Sequence, residues 1–205
     1  LGSETFGVFM FTLTDHKVDL PRLRHEITRF MDWYPIYGYE KQWSFTFTES
    51  DGDQDPTVIH NTRALVREGK LSEIDNKVFH YRFRDTALYE LYQALSEVYK
   101  IGRVRLMALN PYQCYSFHAD TEIRFHVVLW TNPKAFFIIH KLGRDGNGKP
   151  IDHIPLFDMS DQLGVYHIPA NGRVYSLDAN HTHTALNGGS EVRYHLVFNT
   201  IPKSK

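Results

Sequence analysis

The residues that could do chemistry begin near position 118. The stretch QCYSFHADTEIRFHVVLW, residues 113–130, opens as an alternating strand pattern and sets His118 and Asp120 two apart. On an extended chain, residues i and i+2 project to the same side. One imidazole nitrogen and one carboxylate oxygen can therefore meet at a single point. Two histidines and one carboxylate form a facial triad, which suits Fe(II) and leaves neighbouring coordination positions open. The missing nitrogen ligand has a candidate region in LDANHTHTALNGGSEVRYHLVF, residues 177–198, which offers His181 and His183. These two share strand parity, so geometry alone does not separate them.

Arg193 lies in the same region, beyond an Asn-Gly-Gly turn. A guanidinium buried near a metal needs an anionic partner. A dicarboxylate that chelates the metal at one end and meets Arg193 at the other would supply it, and arginine's planar fork suits such two-point pairing.

Other motifs fail on their chemistry. DGDQDP, residues 51–56, spaces three aspartates like a calcium loop, but Pro56 stands where the loop needs glycine and Thr62 where it needs glutamate. GRDGNGKP, residues 143–150, follows its lysine with proline rather than Ser or Thr, so a hairpin loop is expected there and no phosphate loop. NHT at 180–182 matches a glycosylation acceptor without a signal peptide to give it meaning. His140, His153, His167 and His195 are expected to be structural, although His195 follows Arg193 by two and can face the same pocket; Trp130 with the Phe136/Phe137 pair is expected to be core.

The elements that must position these groups follow from pattern. Residues 6–14 are apolar and β-branched, as a strand is. Asp19 can cap a helix that begins with Pro21 and carries Leu23, Ile27, Phe30, Met31 and Tyr34 at helical spacing. Residues 43–48 and 77–83 alternate as strands, and 50–56 is a turn-rich loop. Residues 86–100 place Leu88, Leu91, Leu95, Val98 and Tyr99 on one helical face, with Gly102 as the stop. From Gly102 onward short strands succeed one another at 103–109, 113–117, 123–130, 134–142, 154–159, 164–168, 173–178 and 191–199. That density predicts a sandwich or barrel. The expectation is a mainly β chain with supporting helices and a double-stranded β-helix (jelly-roll, cupin-like) core. It forms one domain over 1–205, with 1–101 as helix and strand support and 102–199 as the barrel.

Bulk properties narrow the partners. A net charge of −1 gives no basic field for nucleic acid or anionic membrane. No N-terminal basic-plus-apolar signal is visible, and no apolar run approaches the ~18 residues that span a bilayer. The single cysteine, Cys114, excludes an internal disulfide and fits a reducing, cytoplasmic compartment. As a lone thiol it is expected to be a small buried hydrophobe.

Taken together, HAD at 118–120 and HTALNGGSEVRYHLVF at 183–198 resemble the 2-oxoglutarate/Fe(II)-dependent dioxygenases. Within them the chain looks most like the aspartyl/asparaginyl β-hydroxylase branch, which includes hydroxylases of free proline. His183 precedes Arg193 by ten residues across the Asn-Gly-Gly turn, RFHVVLW at 124–130 is similar to the family's R-x-H strand, and residues 103–120 repeat its order of strand, loop, strand and ligand. The likeness covers roughly 102–199.

The resemblance implies His118, Asp120 and His183 as Fe(II) ligands, with His181 outside the set. It implies Arg193 on the distal carboxylate of 2-oxoglutarate, with Arg124 and His126 helping to hold that cosubstrate. The implied reaction couples dioxygen and the decarboxylation of 2-oxoglutarate to succinate with hydroxylation of an unactivated C–H bond, in an amino acid or an amino-acid side chain of a peptide. Some β-hydroxylases of animals lack the carboxylate ligand; Asp120 is a departure from them and favours the free amino acid or another substrate class. Substrate is expected to enter over loops 50–60 and 141–153. The rival readings are a cupin-like isomerase and a non-catalytic ligand- or protein-binding module, neither of which needs 2-oxoglutarate.

Overall fold

The computed structural model describes residues 11–36, 41–49, 55–57, 73–120, 122–140, 162–179 and 181–202. Residues 6–10 of the first expected strand, the strand at 154–159, the hairpin loop at 143–150, Asn180, His153 and nearly all of the two expected entry loops lie outside them.

In chain order the described elements are β1 (Phe11–Lys17), α1 (Leu20–Trp33), β2 (Lys41–Ser44), β3 (Thr46–Phe47), β4 (Val78–Phe79), α2 (Ala87–Val98), β5 (Tyr99–Leu109), β6 (Gln113–Cys114), β7 (Ile123–Trp130), β8 (Ala135–His140), β9 (Gln162–Tyr166), β10 (Arg173–Asp178), β11 (His183–Asn187) and β12 (Arg193–Pro202). Six strands form a large sheet in the order β1-β10-β7-β12-β5-β2, and four form a small one, β6-β11-β8-β9. Their pairings are antiparallel. This is the mainly β, cupin-like arrangement of two facing sheets.

Alternation along the large sheet sorts its side chains. Val104, Leu106 and Ala108 of β5, Phe125, Val127 and Leu129 of β7, and Leu196 and Phe198 of β12 join one core with Leu23, Ile27 and Phe30 of α1 and Leu88, Leu91 and Leu95 of α2. The opposite face sends Leu109, Val128 and Leu177 into a second core with Phe137, Ile139 and Ala185 of the small sheet. The helices therefore cover the outer face of the large sheet, and the inner face is left for the site.

Both helices begin as their sequences dictate. Asp19 Oδ1 accepts from Arg22 N at 3.0 Å, with Pro21 in the first turn. Thr86 Oγ1 accepts from Tyr89 N at 3.3 Å. Glu26 Oε2 ties the two helices together by accepting from Ala87 N at 2.9 Å.

Several sequence expectations are corrected. α2 ends at Val98 and passes straight into β5 through an extended Tyr99, so Gly102 is a strand residue rather than a helix stop. Its carbonyl accepts from Thr46 Oγ1 at 3.2 Å. The alternating 77–83 segment is a two-residue strand followed by a 3-10 turn, Tyr81–Phe83. There, His80 Nδ1 accepts from Arg82 N, and Phe83 turns inward to meet Phe30 and Phe45 edge-on. The 43–48 segment is split between two sheets at Phe45. Cys114 is exposed, because β6 is a two-residue edge strand of the small sheet.

The Asn-Gly-Gly turn is a junction. Asn187 is fully buried, and its Nδ2 faces three main-chain carbonyls: Leu109 at 2.9 Å, Asn110 at 3.2 Å and Glu191 at 2.8 Å. It thereby ties the ends of β5 and β11 to the approach to β12, one strand end before Arg193. Gly189 is required by space, since a Cβ there would sit 2.2 Å from Asn132 Oδ1. Asn187→Ala is expected to lower the unfolding free energy by about 2–4 kcal/mol, because buried carbonyls lose their donor. A urea unfolding curve with an unchanged midpoint would refute this.

Candidate metal centre

Two distant segments are joined here by backbone pairing. His118 and His183 are directly opposed across an antiparallel bridge: His118 N donates to His183 O at 3.1 Å, and His183 N to His118 O at 2.8 Å. Opposed residues in an antiparallel pair point to one side, and the two rings lie with centroids 4.5 Å apart. Asp120 N extends the contact by donating to Ala179 O at 2.8 Å.

Each imidazole is oriented the same way. His118 Nδ1 donates to Ser116 O, and His183 Nδ1 to His181 O, both at 2.8 Å. A carbonyl can only accept, so the proton sits on Nδ1 and the lone pair on Nε2. Both Nε2 atoms converge on Asp120 Oδ2, at 3.7 Å from His118 and 3.6 Å from His183. These distances are too long for hydrogen bonds. Asp120 Oδ2 is buried and accepts none, while Oδ1 is held by Arg124 Nη2 at 2.7 Å. Two imidazole lone pairs and one unsatisfied carboxylate oxygen thus lie within 4.8 Å of one another. That donor set fits a divalent metal ion, and the Nδ1–carbonyl bonds are the outer contacts that metal-ligating histidines make.

His183 is buried, and its pKa is pushed down to about 4, first by burial and then by the neighbouring His118 imidazole, with Asp120 opposing. The two late histidines differ in position. His183 starts β11 and faces the cluster, whereas His181 precedes the strand and contributes its backbone carbonyl.

The pocket beside this cluster encloses about 490 Å³, part of it open to solvent, and is lined by His118, His183, Tyr115, Arg124, His126 and Phe137. Arg193 and His195 form part of its wall as well. Arg193 is 5% exposed, and burial lowers its pKa to about 10. Its guanidinium lies 4.5 Å above the Phe137 ring and donates through Nε to His195 Nε2 at 2.7 Å, with Nη2 at 3.0 Å from His195 Nδ1. A neutral imidazole accepts through one nitrogen only. Among the described residues no carboxylate balances this cation.

Every site residue expected from the sequence lies in or against this pocket. Arg124 is engaged with the outer oxygen of Asp120, and His126 packs edge-on against Phe137 and His195. His195 was expected to be structural, yet able to face the same pocket because it follows Arg193 by two on one strand, and it lines the pocket. Phe137 and Tyr115 were missed. Phe137 was expected only as core; it belongs to the inner core and also forms the floor under the guanidinium. Tyr115 carried no distinguishing signal in the sequence.

His126 and His195 have strongly lowered pKa values, burial being the main cause and the charge of Arg193 the next. Below the ordinary imidazole value of 6.5, the unfolded chain binds protons that the folded chain refuses. Their stabilising contribution is therefore complete above that pH and declines as pH falls beneath it, by up to about 1.4 kcal/mol per pH unit for each ring. With the lowered His183 ring adding its share, metal-free protein is expected to lose about 4 kcal/mol between about pH 7.5 and about pH 5.5 in urea titrations. Equal stability at the two pH values would mean that the rings are already charged in the fold.

The fold and the site together define a β-sandwich of cupin type with a two-histidine, one-carboxylate cluster inside it. No family model matches the chain, and no curated protein is similar to it in sequence. Among solved structures it is similar to an oxidoreductase of the 2OG-Fe(II) oxygenase family from Burkholderia pseudomallei (14% identity, 86% of this chain and 77% of that one, TM-score 0.43). It is also similar to HygX from Streptomyces hygroscopicus, solved with nickel and 2-oxoglutarate bound (12% identity, 99% and 88%, TM-score 0.49). A third is a prolyl-4-hydroxylase from Pseudomonas putida (10% identity, 95% and 94%, TM-score 0.48). Likeness at this level speaks to neither substrate nor activity. Among the described residues no helix is long and apolar enough to cross a membrane.

Proposed function

We propose that the protein is an Fe(II)- and 2-oxoglutarate-dependent dioxygenase that hydroxylates an unactivated C–H bond in an amino acid or in an amino-acid side chain of a peptide. The observation that carries this reading is the pairing, in one pocket, of an open three-ligand cluster with a buried guanidinium that no carboxylate among the described residues balances. A cluster alone would suit many metal proteins. The cation beside it asks for a ligand that is anionic at its far end and chelating at its near end, and a 2-oxo dicarboxylate is both.

His118 Nε2, His183 Nε2 and Asp120 Oδ2 would hold an iron ion. With 2-oxoglutarate and dioxygen it supplies the oxidising chemistry: the keto acid becomes succinate and carbon dioxide, and one oxygen atom enters the substrate C–H bond. The chain's own residues do the rest. Arg193 would pair with the distal carboxylate of the keto acid. Phe137 supports the guanidinium plane from below, and neutral His195 leaves the guanidinium's charge for the ligand. His126, kept neutral by burial, closes the inner wall with Phe137 and adds no competing charge. The apolar floor excludes water from the chelate, where each ion pair is stronger than it would be in solvent. The aspartyl/asparaginyl β-hydroxylase branch remains the subfamily suggested by residues 118–120 and 183–198.

The test is conversion of 2-oxoglutarate to succinate by purified protein with Fe(II), ascorbate and oxygen, with a cell extract as substrate pool and mass spectrometry for a product gaining one oxygen atom. Tight iron binding without succinate formation over that pool would return the chain to the non-oxygenase cupin readings.

A further inference from the structure

Asp120 has two oxygens, and the structure treats them differently. Oδ2 faces the two imidazole lone pairs and accepts no hydrogen bond. Oδ1 is engaged by Arg124 Nη2 at 2.7 Å, an ion pair whose side chains are 12% and 19% exposed. Arg124 cannot drift from this post easily, because it sits in β7 with β10 on one side and β12 on the other, opposite Leu177 and Asn199. The pair is therefore built from a sheet residue reaching back to a carboxylate just ahead of its own strand.

A carboxylate can bind a metal through one oxygen or through both. In a six-coordinate site the difference is one coordination position. Two imidazoles and a one-oxygen carboxylate leave room for a two-point chelator and one further ligand. A two-oxygen carboxylate leaves room for the chelator alone, and the third reactant is shut out. We infer that Arg124 is a positioning residue that keeps Asp120 one-oxygen bound, by occupying Oδ1, and so preserves the third open position at the metal. This inference rests on the iron-site reading above. It assigns Arg124 to the carboxylate ligand rather than to the cosubstrate, where the resemblance placed it.

The two assignments separate in an experiment without cosubstrate. The intact protein is loaded with Mn(II) alone, and water-proton relaxation reports how many positions exchange with solvent. The wild type is expected to show three open positions. Arg124→Met, which leaves no donor for Oδ1, is expected to bind Mn(II) with relaxation lower by about one third, as the freed carboxylate takes a second position. Arg124→Lys, which returns a donor to Oδ1, is expected to restore the wild-type value. Unchanged relaxation in an Arg124→Met protein that still binds Mn(II) would overturn the inference and leave the iron-site reading standing. Two open positions in the wild type would overturn it without any variant, so a variant that fails to fold does not shelter it. A wild type that binds no Mn(II) would remove the iron-site reading and this role with it.

Discussion

His183→Ala is expected to abolish metal retention and, with it, succinate formation. The side chain supplies one of three donors, and its backbone bridge to His118 survives the substitution. Loss of an outer contact to a metal ligand already costs about 10–100-fold in affinity, and loss of the ligand itself should exceed that range. The measurement is iron content by elemental analysis after dialysis, alongside far-ultraviolet dichroism. His181→Ala is the control: it removes a side chain outside the cluster and keeps the carbonyl that orients His183. Equal iron content in wild type and His183→Ala, or loss in His181→Ala alone, would break the assignment.

Arg193→Met is expected to separate binding from stability. Removing one side of a buried charge pair costs about 2–5 kcal/mol, so affinity for 2-oxoglutarate should fall by about 30- to 4000-fold while iron content holds. In the ligand-free protein the same change should raise stability by about 1–2 kcal/mol, because an apolar chain replaces a buried cation that no carboxylate among the described residues balances. The contact over Phe137 offsets only part of that gain. The wild type should recover the difference when 2-oxoglutarate is added, by about 2.7 kcal/mol at a hundred times its dissociation constant. Calorimetric titration and thermal unfolding with and without the keto acid check both halves. A variant that binds the keto acid as tightly as wild type would place its distal carboxylate elsewhere.

The inference from sequence was strongest where chemistry and local pattern coincide. H-x-D at a strand end states its own geometry, since two-residue periodicity is a property of any extended chain. The helix capped by Asp19 was legible for the same reason: a cap is satisfied by neighbours in sequence. The errors fell where tertiary contacts override local preference. Residues 77–83 alternate as a strand does, yet Phe83 finds a better site between Phe30 and Phe45 and turns the chain. Gly102 resembles a helix stop, but the helix–strand junction lies three residues earlier because β5 pairs along its whole length with β12.

By itself the sequence determined the inventory: two imidazoles and a carboxylate able to bind a metal, an arginine placed two residues from His195 on one strand, and a run of short strands to carry them. Only the tertiary structure decided that His118 stands opposite His183, that Asp120 presents one oxygen and surrenders the other to Arg124, and that Arg193 is buried beside the same pocket. The physical reason is that side-chain direction along a strand is a local property, while register between strands is set by hydrogen-bond ladders and by which faces must be buried.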